Sequence, residues 1–341
     1  MNTARGRAAA RPRALFAMQP GLQHSLFDDP MLARLRRILD IDTELAVDDL
    51  AALDPEVLGA VEVLITGWGA PVMDAANLDS MPHLRAIFHA AGTVKGHLTE
   101  AVWDRDILVT TAAAANALPV AEYALAMILL AGKGALGFIR DYRDHADVPG
   151  PVGPDGVGNY RRTVGIIGAS TIGRLVINLL QAFDFDILLY DPVVEPGDPV
   201  LGLVEHVELH ELFRRSSVVS VHAPLLPETL GMVGRAELAL LPDGATLINT
   251  ARAPIVDQDA VLEATRAGRL TAVLDVTDPE PLPLEHPLRA DPRIVITPHI
   301  AGALGNELLR LGESAVREAE LYVGGTRPIY RVHRSDLIAM A

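Results

Sequence analysis

Three side chains in the last third of the sequence carry groups suited to moving a proton beside a carbonyl. Arg252 stands in INTARAP, Glu280 in LDVTDPEP and His299 in ITPHIAG. Histidine titrates near neutrality, so it can give a proton to a ketone oxygen or take one from an alcohol. A carboxylate beside it orients the ring and favours its charged form. A guanidinium holds a substrate carboxylate through two parallel hydrogen bonds and polarises a neighbouring carbonyl. The set fits hydride exchange at C2 of a 2-hydroxy or 2-oxo acid. Taken singly, each residue has a plainer reading: a surface arginine, a solvated loop acid, and turn chemistry after Pro298.

Each of the three follows an aliphatic run that reads as a strand, and Asp275 lies at the end of the run TAVLDV. From Arg162 the runs are residues 163–168, 186–190, 217–222, 245–250, 271–276 and 293–297, with helix-length segments between them. Six such strands make a doubly wound parallel sheet of the dinucleotide-binding size, whose ligands lie outside the carboxyl ends of the strands. Arg252, Glu280 and His299 all fall at those ends.

The first of these strands runs into Gly168-Ala-Ser170-Thr171-Ile172-Gly173. This is the dinucleotide fingerprint with serine in place of its middle glycine. The first glycine permits the tight turn, and the last lets the helix pack on the strand. Serine shifts the cofactor slightly or offers its hydroxyl to a phosphate. Asp191 ends the second strand, where an acid bonds the ribose hydroxyls and repels a 2′-phosphate. No Arg or Lys occurs from Tyr190 to His210, so the cofactor is NAD rather than NADP. His222 and Pro224, after the strand at 217–222, line the cofactor pocket, or His222 is structural.

The first third alternates in the same way. Strand candidates are residues 14–18, 61–66, 84–90 and 107–112, with helices around 31–39, 54–60, 73–80 and 98–103. A long helix is expected over 118–142, then a Pro- and Gly-rich loop over 147–159, and a last helix over about 305–323. The leader MNTARGRAAARPR reads as a short frayed segment. The apolar stretch at 112–132 is broken by Asn116, Pro119 and Glu122 and reads as a buried helix rather than a membrane span. A formal charge of −15 argues against nucleic acid and anionic membranes as partners. There is no cysteine, hence no disulfide framework and no thiolate chemistry, which is compatible with a reducing cytoplasm. No metal site is expected.

With these segments assembled, the chain resembles the D-isomer-specific 2-hydroxyacid dehydrogenases from about residue 60 to 323. The resemblance rests on NALPVAEYAL (116–125), TVGIIGASTIGR (163–174), VSVHAPLLPET (219–229), LINTARAPIVD (247–257), AVLDVTDPEPLP (272–283) and ITPHIAG (296–302). It implies a two-domain α/β protein, with a Rossmann NAD-binding domain at 118–303 inserted in a flavodoxin-like substrate domain made of 1–117 and 304–341. It implies that Arg252 binds substrate and that Glu280 and His299 form the acid–base pair. It implies NAD contacts from Thr171, Ile172, Asp191, Thr250, Ala251, Asp275 and the turn ending at Gly302, and a homodimer joined through the nucleotide domain and its preceding long helix. Two departures stand out. Ser170 replaces glycine, and the loop HAAGTVKGHL (89–98) lacks the family's Gly-x-Asp-x-Ile-Asp pattern. Backbone amides of Ala91, Gly92 and Thr93 remain suited to cradling a carboxylate. Lys95 resembles a lysine of phosphite dehydrogenase in the same loop and is placed to meet an anionic oxygen, unless it simply faces solvent. Trp68 either walls the same site or packs.

Two rivals share the fold. One is an NAD-binding corepressor-like scaffold without turnover. The other is a phosphite- or formate-type dehydrogenase; the formate enzyme pairs its histidine with Gln, so Glu280 counts against it.

Overall fold

The computed structural model describes residues 10–145 and 156–337. Most of the arginine-bearing leader and most of the 147–159 loop lie outside the described residues. The chain divides into two compact units, one formed by residues up to Asn116 and from Ala303 onward, the other by Ala117–Gly302.

In the first unit five parallel strands run in the order β2-β1-β3-β4-β5: β1 Arg13–Ala17, β2 Asp40–Val47, β3 Val63–Thr66, β4 Ala86–His89 and β5 Leu108–Thr111. This is the flavodoxin-like order. Successive side chains alternate between faces. Phe16 and Phe88 therefore join Leu35, Leu311 and Val316 on one side, while Leu15, Leu64 and Ile87 join Leu50, Leu78 and Val102 on the other. Helix Asp29–Ile38 starts on Asp28, whose carboxylate accepts the Met31 N–H. Helix Leu308–Val323 lies beside it, clasped by Arg34, which reaches Glu320 through Nε and Nη2 at 2.9 and 2.8 Å and Glu313 at 2.5 Å. A Cβ at Gly312 would stand 1.8 Å from the Leu26 carbonyl oxygen, so glycine sets how closely this helix approaches.

Two strands of this sheet were not expected. Strand β2 (DIDTELAV) is mostly exposed and its charged residues hide the period. The last strand, Arg331–Val332, pairs antiparallel with β5 and closes that edge.

The second unit is one seven-stranded sheet. Its strands are β6 Arg162–Ile167, β7 Phe185–Tyr190, β8 Glu205–His206, β9 Val218–Val221, β10 Ala245–Asn249, β11 Leu270–Leu274 and β12 Ile294–Ile296, so the strand Arg331–Val332 of the first unit is β13. The order β12-β11-β10-β9-β6-β7-β8 is parallel throughout. It is the doubly wound dinucleotide-binding order with one extra strand at the far edge, and its switch point falls between β6 and β9. The runs VVSV and ATLIN are buried along their whole length, as strands covered on both faces must be.

The helix expected over 118–142 is two helices, Ala113–Gly132 and Ala135–His145. Gly134 between them takes φ +67°, a left-handed turn that no helix continues through. The apolar stretch at 112–132 is also less covered than its composition suggested. By length and composition the first helix could cross a membrane (mean hydropathy 1.6), yet only 33% of that window is buried.

Candidate active site

The glycines at the two ends of the cofactor turn are required by geometry. Gly168 sits at φ +96°, and a Cβ there would lie 2.7 Å from the Ala223 nitrogen. A Cβ at Gly173 would lie 2.0 Å from the Gly168 oxygen. Ser170, the departure from the fingerprint, is the N-cap of helix Thr171–Leu180. Its hydroxyl accepts from the Gly173 N–H at 3.3 Å and donates to the His222 carbonyl at 2.8 Å. Its proton is thus engaged within the protein, which corrects the expectation of a hydroxyl offered to phosphate. The helix start leaves the N–H groups of Thr171 and Ile172 without intrahelical acceptors, an anion-binding arrangement.

Asp191 is buried at the end of β7. Its two oxygens accept from the Ala169 N–H at 2.6 Å and the Val193 N–H at 2.9 Å, so the acid also ties the turn to the neighbouring strand. Scanning residues 190–210 for a basic group overlooks Arg174, which the first helix brings to this place. Its Nε donates to the Ala169 carbonyl, and both terminal nitrogens bond Asp198 at 2.7 Å. Asp198 neutralises it, so it is not an open phosphate receptor. His222 is buried, with its ring on the Ser220 hydroxyl at 2.9 Å, and burial pushes it down to about 4. This favours the structural reading for that residue. The Pro224 carbonyl accepts from the Thr229 hydroxyl.

After β10, Asn249 braces the next segment. Its Oδ1 accepts from the Ala251 N–H and its Nδ2 donates to the Arg252 carbonyl, both at 3.0 Å. Thr250 presents a buried hydroxyl without a hydrogen-bond partner, a group that a bound molecule would satisfy. The Arg252 guanidinium is lowered by burial, opposed by the charge of Glu280.

The Glu280–His299 pair is assembled. Imidazole Nδ1 meets the Glu280 carboxylate at 2.7 Å, and both side chains are about half exposed. A carboxylate accepts only, so Nδ1 carries the proton and Nε2 is the working atom. His299 has φ +54°, a left-handed backbone uncommon for histidine. Asp275, 2% exposed, holds that turn in place. It accepts from the Ile300 N–H and the Ala301 N–H at 2.9 Å each and from the Thr297 hydroxyl at 2.6 Å. Since Thr297 gives its proton to Asp275, the Tyr123 hydroxyl donates to Thr297, at 2.8 Å. Sequence reasoning missed Asn249, Tyr123 and Thr297. The TPHIAG segment placed Thr297 two residues from the histidine, but nothing local marks Tyr123. Gly302 closes the turn at the end of the unit.

The loop after β4 belongs to the first unit. Ala91 is buried, and its carbonyl accepts from the Thr111 hydroxyl at 2.8 Å; the Gly92 carbonyl accepts from the same hydroxyl. Thr93 and Lys95 face outward, and the Lys95 N–H meets Thr93 Oγ1 at 3.4 Å. Gly92 is not in the left-handed region, and a Cβ there would meet only Asn116 Nδ2 at 3.5 Å. Gly92 therefore uses no conformation reserved for glycine. Trp68 is 44% exposed, so it does not simply pack.

Residues 125–301 match a family model described as D-isomer specific 2-hydroxyacid dehydrogenase, NAD binding domain. Over 257 residues, 75% of the chain, the sequence is 30% identical to D-3-phosphoglycerate dehydrogenase of Mycobacterium tuberculosis. The chain spans about half the length of that curated relative, covering 48% of it. It is 32% identical over 272 residues to glyoxylate reductase of Thermofilum pendens, covering 78% of this chain and 79% of that one. A solved structure, D-lactate dehydrogenase of Aquifex aeolicus complexed with NAD and lactic acid, is similar at TM-score 0.68 and 26% identity, covering 92% of this chain and 96% of that one.

Proposed function

Because the chain belongs to the D-isomer-specific 2-hydroxyacid dehydrogenases and carries their NAD-binding domain, we propose that it interconverts a 2-oxo acid and a D-2-hydroxy acid. The observation that carries this is the 2.7 Å contact between His299 Nδ1 and Glu280, which leaves Nε2 as the atom that can exchange a proton, with the partly buried Arg252 within the field of the same Glu280. NAD, when bound, supplies or accepts the hydride. The residues fit it: a turn that only glycine fits at Gly168 and Gly173, helix amides at Thr171 and Ile172, Asp191 at the ribose end, and the unsatisfied Thr250 hydroxyl. Ser170 contributes as the N-cap of the helix whose first amides stay open, and Pro224, Ala251, Asp275 and Gly302 complete the set.

In reduction, protonated His299 gives the Nε2 proton to the ketone oxygen, and Glu280, hydrogen-bonded to Nδ1, orients the ring. Arg252 holds the substrate carboxylate and polarises the carbonyl. In oxidation the neutral imidazole takes the hydroxyl proton. The first unit is the substrate domain, and Ala91, Gly92, Thr93 and Lys95 are its donors for an anionic group of the substrate. NADH oxidation with glyoxylate, hydroxypyruvate and pyruvate tests the reading. His299→Ala should lower kcat by roughly 10²–10⁴-fold with NADH affinity kept, and Glu280→Gln should lower it less. NAD binding without turnover of any 2-oxo acid would make the protein a scaffold instead.

The protein works as a homodimer. Leu130, Ile139, Tyr142 and Tyr160 leave large apolar side chains exposed on or near the helices Ala113–Gly132 and Ala135–His145, which suits burial against a second copy. Light scattering should return about twice the chain mass, and a monomer at micromolar concentration would refute the assignment.

A further inference from the structure

Two histidines outside the catalytic set lie beneath the loop after β4. His89 ends that strand and His97 ends the loop; they are 3% and 7% exposed, and their rings stack at 4.5 Å between centroids, 34° apart in plane. His89 Nδ1 meets the Thr66 hydroxyl of β3 at 2.9 Å, and the ring also hydrogen-bonds the backbone of Thr93. The His97 carbonyl accepts from the Met73 N–H at 2.7 Å, while its Nε2 is buried without a partner. Between the two rings the loop alternates. Ala91 and Val94 turn inward and are buried, whereas Thr93, Lys95 and Gly96 face out.

Apolar side chains would fill this space without a buried unpaired nitrogen. Imidazoles do something more: one ring bonds a strand on one side and the loop backbone on the other. Burial holds both rings uncharged, at about 3 for His89 and about 4 for His97, so they stack without repulsion at working pH.

We propose that the stacked pair His89–His97 positions the Ala91–Lys95 segment, setting the height of its backbone and of the exposed Lys95 and hence the affinity for the anionic group of the substrate. This rests on the assignment of that segment to substrate binding. His89 and His97 touch no reacting atom in this scheme; they act through the loop.

The test uses the full chain, NADH and glyoxylate. His89→Phe keeps a ring of similar size and loses both hydrogen bonds. It should raise KM for glyoxylate by about tenfold or more, because the Thr66 hydroxyl and the loop backbone each lose a partner, with kcat and NADH affinity nearly unchanged. His89→Gln, which keeps a donor and an acceptor, should recover part of the loss. Amide exchange over 91–98 should quicken in His89→Phe and not in His89→Gln. Thr66→Val removes one partner at constant volume and should give a smaller KM increase; it decides the matter if His89→Phe does not fold. Lys95→Ala separates the two ideas. If it raises KM while His89→Phe and Thr66→Val do not, positioning is overturned and the loop assignment stands. If none of the three changes KM, the loop assignment fails and takes the proposal with it. Equal losses in kcat and NADH affinity in His89→Phe would also overturn positioning, because they mark general damage.

Discussion

Two loops, each following a parallel strand, are given small side chains and polar tasks, and they are built on opposite principles. The turn Gly168–Gly173 is shaped by what cannot be there: a Cβ at either end would collide with backbone at 2.7 or 2.0 Å. The segment Ala90–Leu98 has no such constraint at Gly92, and its form comes from the imidazoles and threonines beneath it. The first is a backbone device and the second a side-chain device. Only the first leaves a fingerprint that reads without the fold, because a required glycine is visible as a letter while a supporting partner is visible only once strands are adjacent.

The sharpest way to break this contrast is Gly173→Ala. The added methyl must push the helix start away from the turn, an overpacking cost of roughly 1–3 kcal/mol, and NAD affinity should fall by up to about a hundredfold. Calorimetric titration with NAD measures it; unchanged affinity would mean that the turn is not the cofactor site. Acid tests what the loops share. Buried His222 under the first, and His89 and His97 under the second, have folded-state values of about 4, 3 and 4, below the ordinary 6.5. The unfolded chain therefore takes up protons first, and stability present at neutral pH is lost as pH falls below 6.5. The slope is of order 1.4 kcal/mol per pH unit for each histidine. The urea midpoint should drop between pH 6.5 and 5, and a flat midpoint would contradict the neutral burial. The smallest effect is expected from Gly92→Ala, whose methyl meets only Asn116 at 3.5 Å. Thermal stability should stay within about 0.5 kcal/mol of the parent, and a large loss would show that this glycine, too, is dictated by the backbone.

The same distinction explains what the sequence makes legible. The principal strands of the second unit carry aliphatic runs, β9 and β10 being buried along their whole length, so they read directly, and with them the strand-end positions of Arg252, Glu280 and His299. Strand β2 is mostly exposed and carries charge where a period would show, and β8 and β13 have two residues each. The break at Gly134 needs one residue in a left-handed turn, and no proline announces it. At the site, the residue types of the acid–base pair were readable, whereas its supports were not. Tyr123 reaches Thr297 across 174 positions, and Arg174 meets Asp198 from another element. Asp275 was readable as a strand-end acid, yet its three accepted hydrogen bonds make it the brace of the histidine turn.

The helix that Gly312 seats against Leu26, and the edge strand β13 after it, belong to the first unit, whose other strands all lie before residue 117. Translation runs one way, so of the two units the one whose strands are begun earlier is completed later. A nascent chain that has reached Gly302 already holds every strand of the second unit. Meanwhile the Phe16, Leu35 and Phe88 face still lacks Leu311 and Val316. In the order of synthesis, the inserted unit is finished before its host.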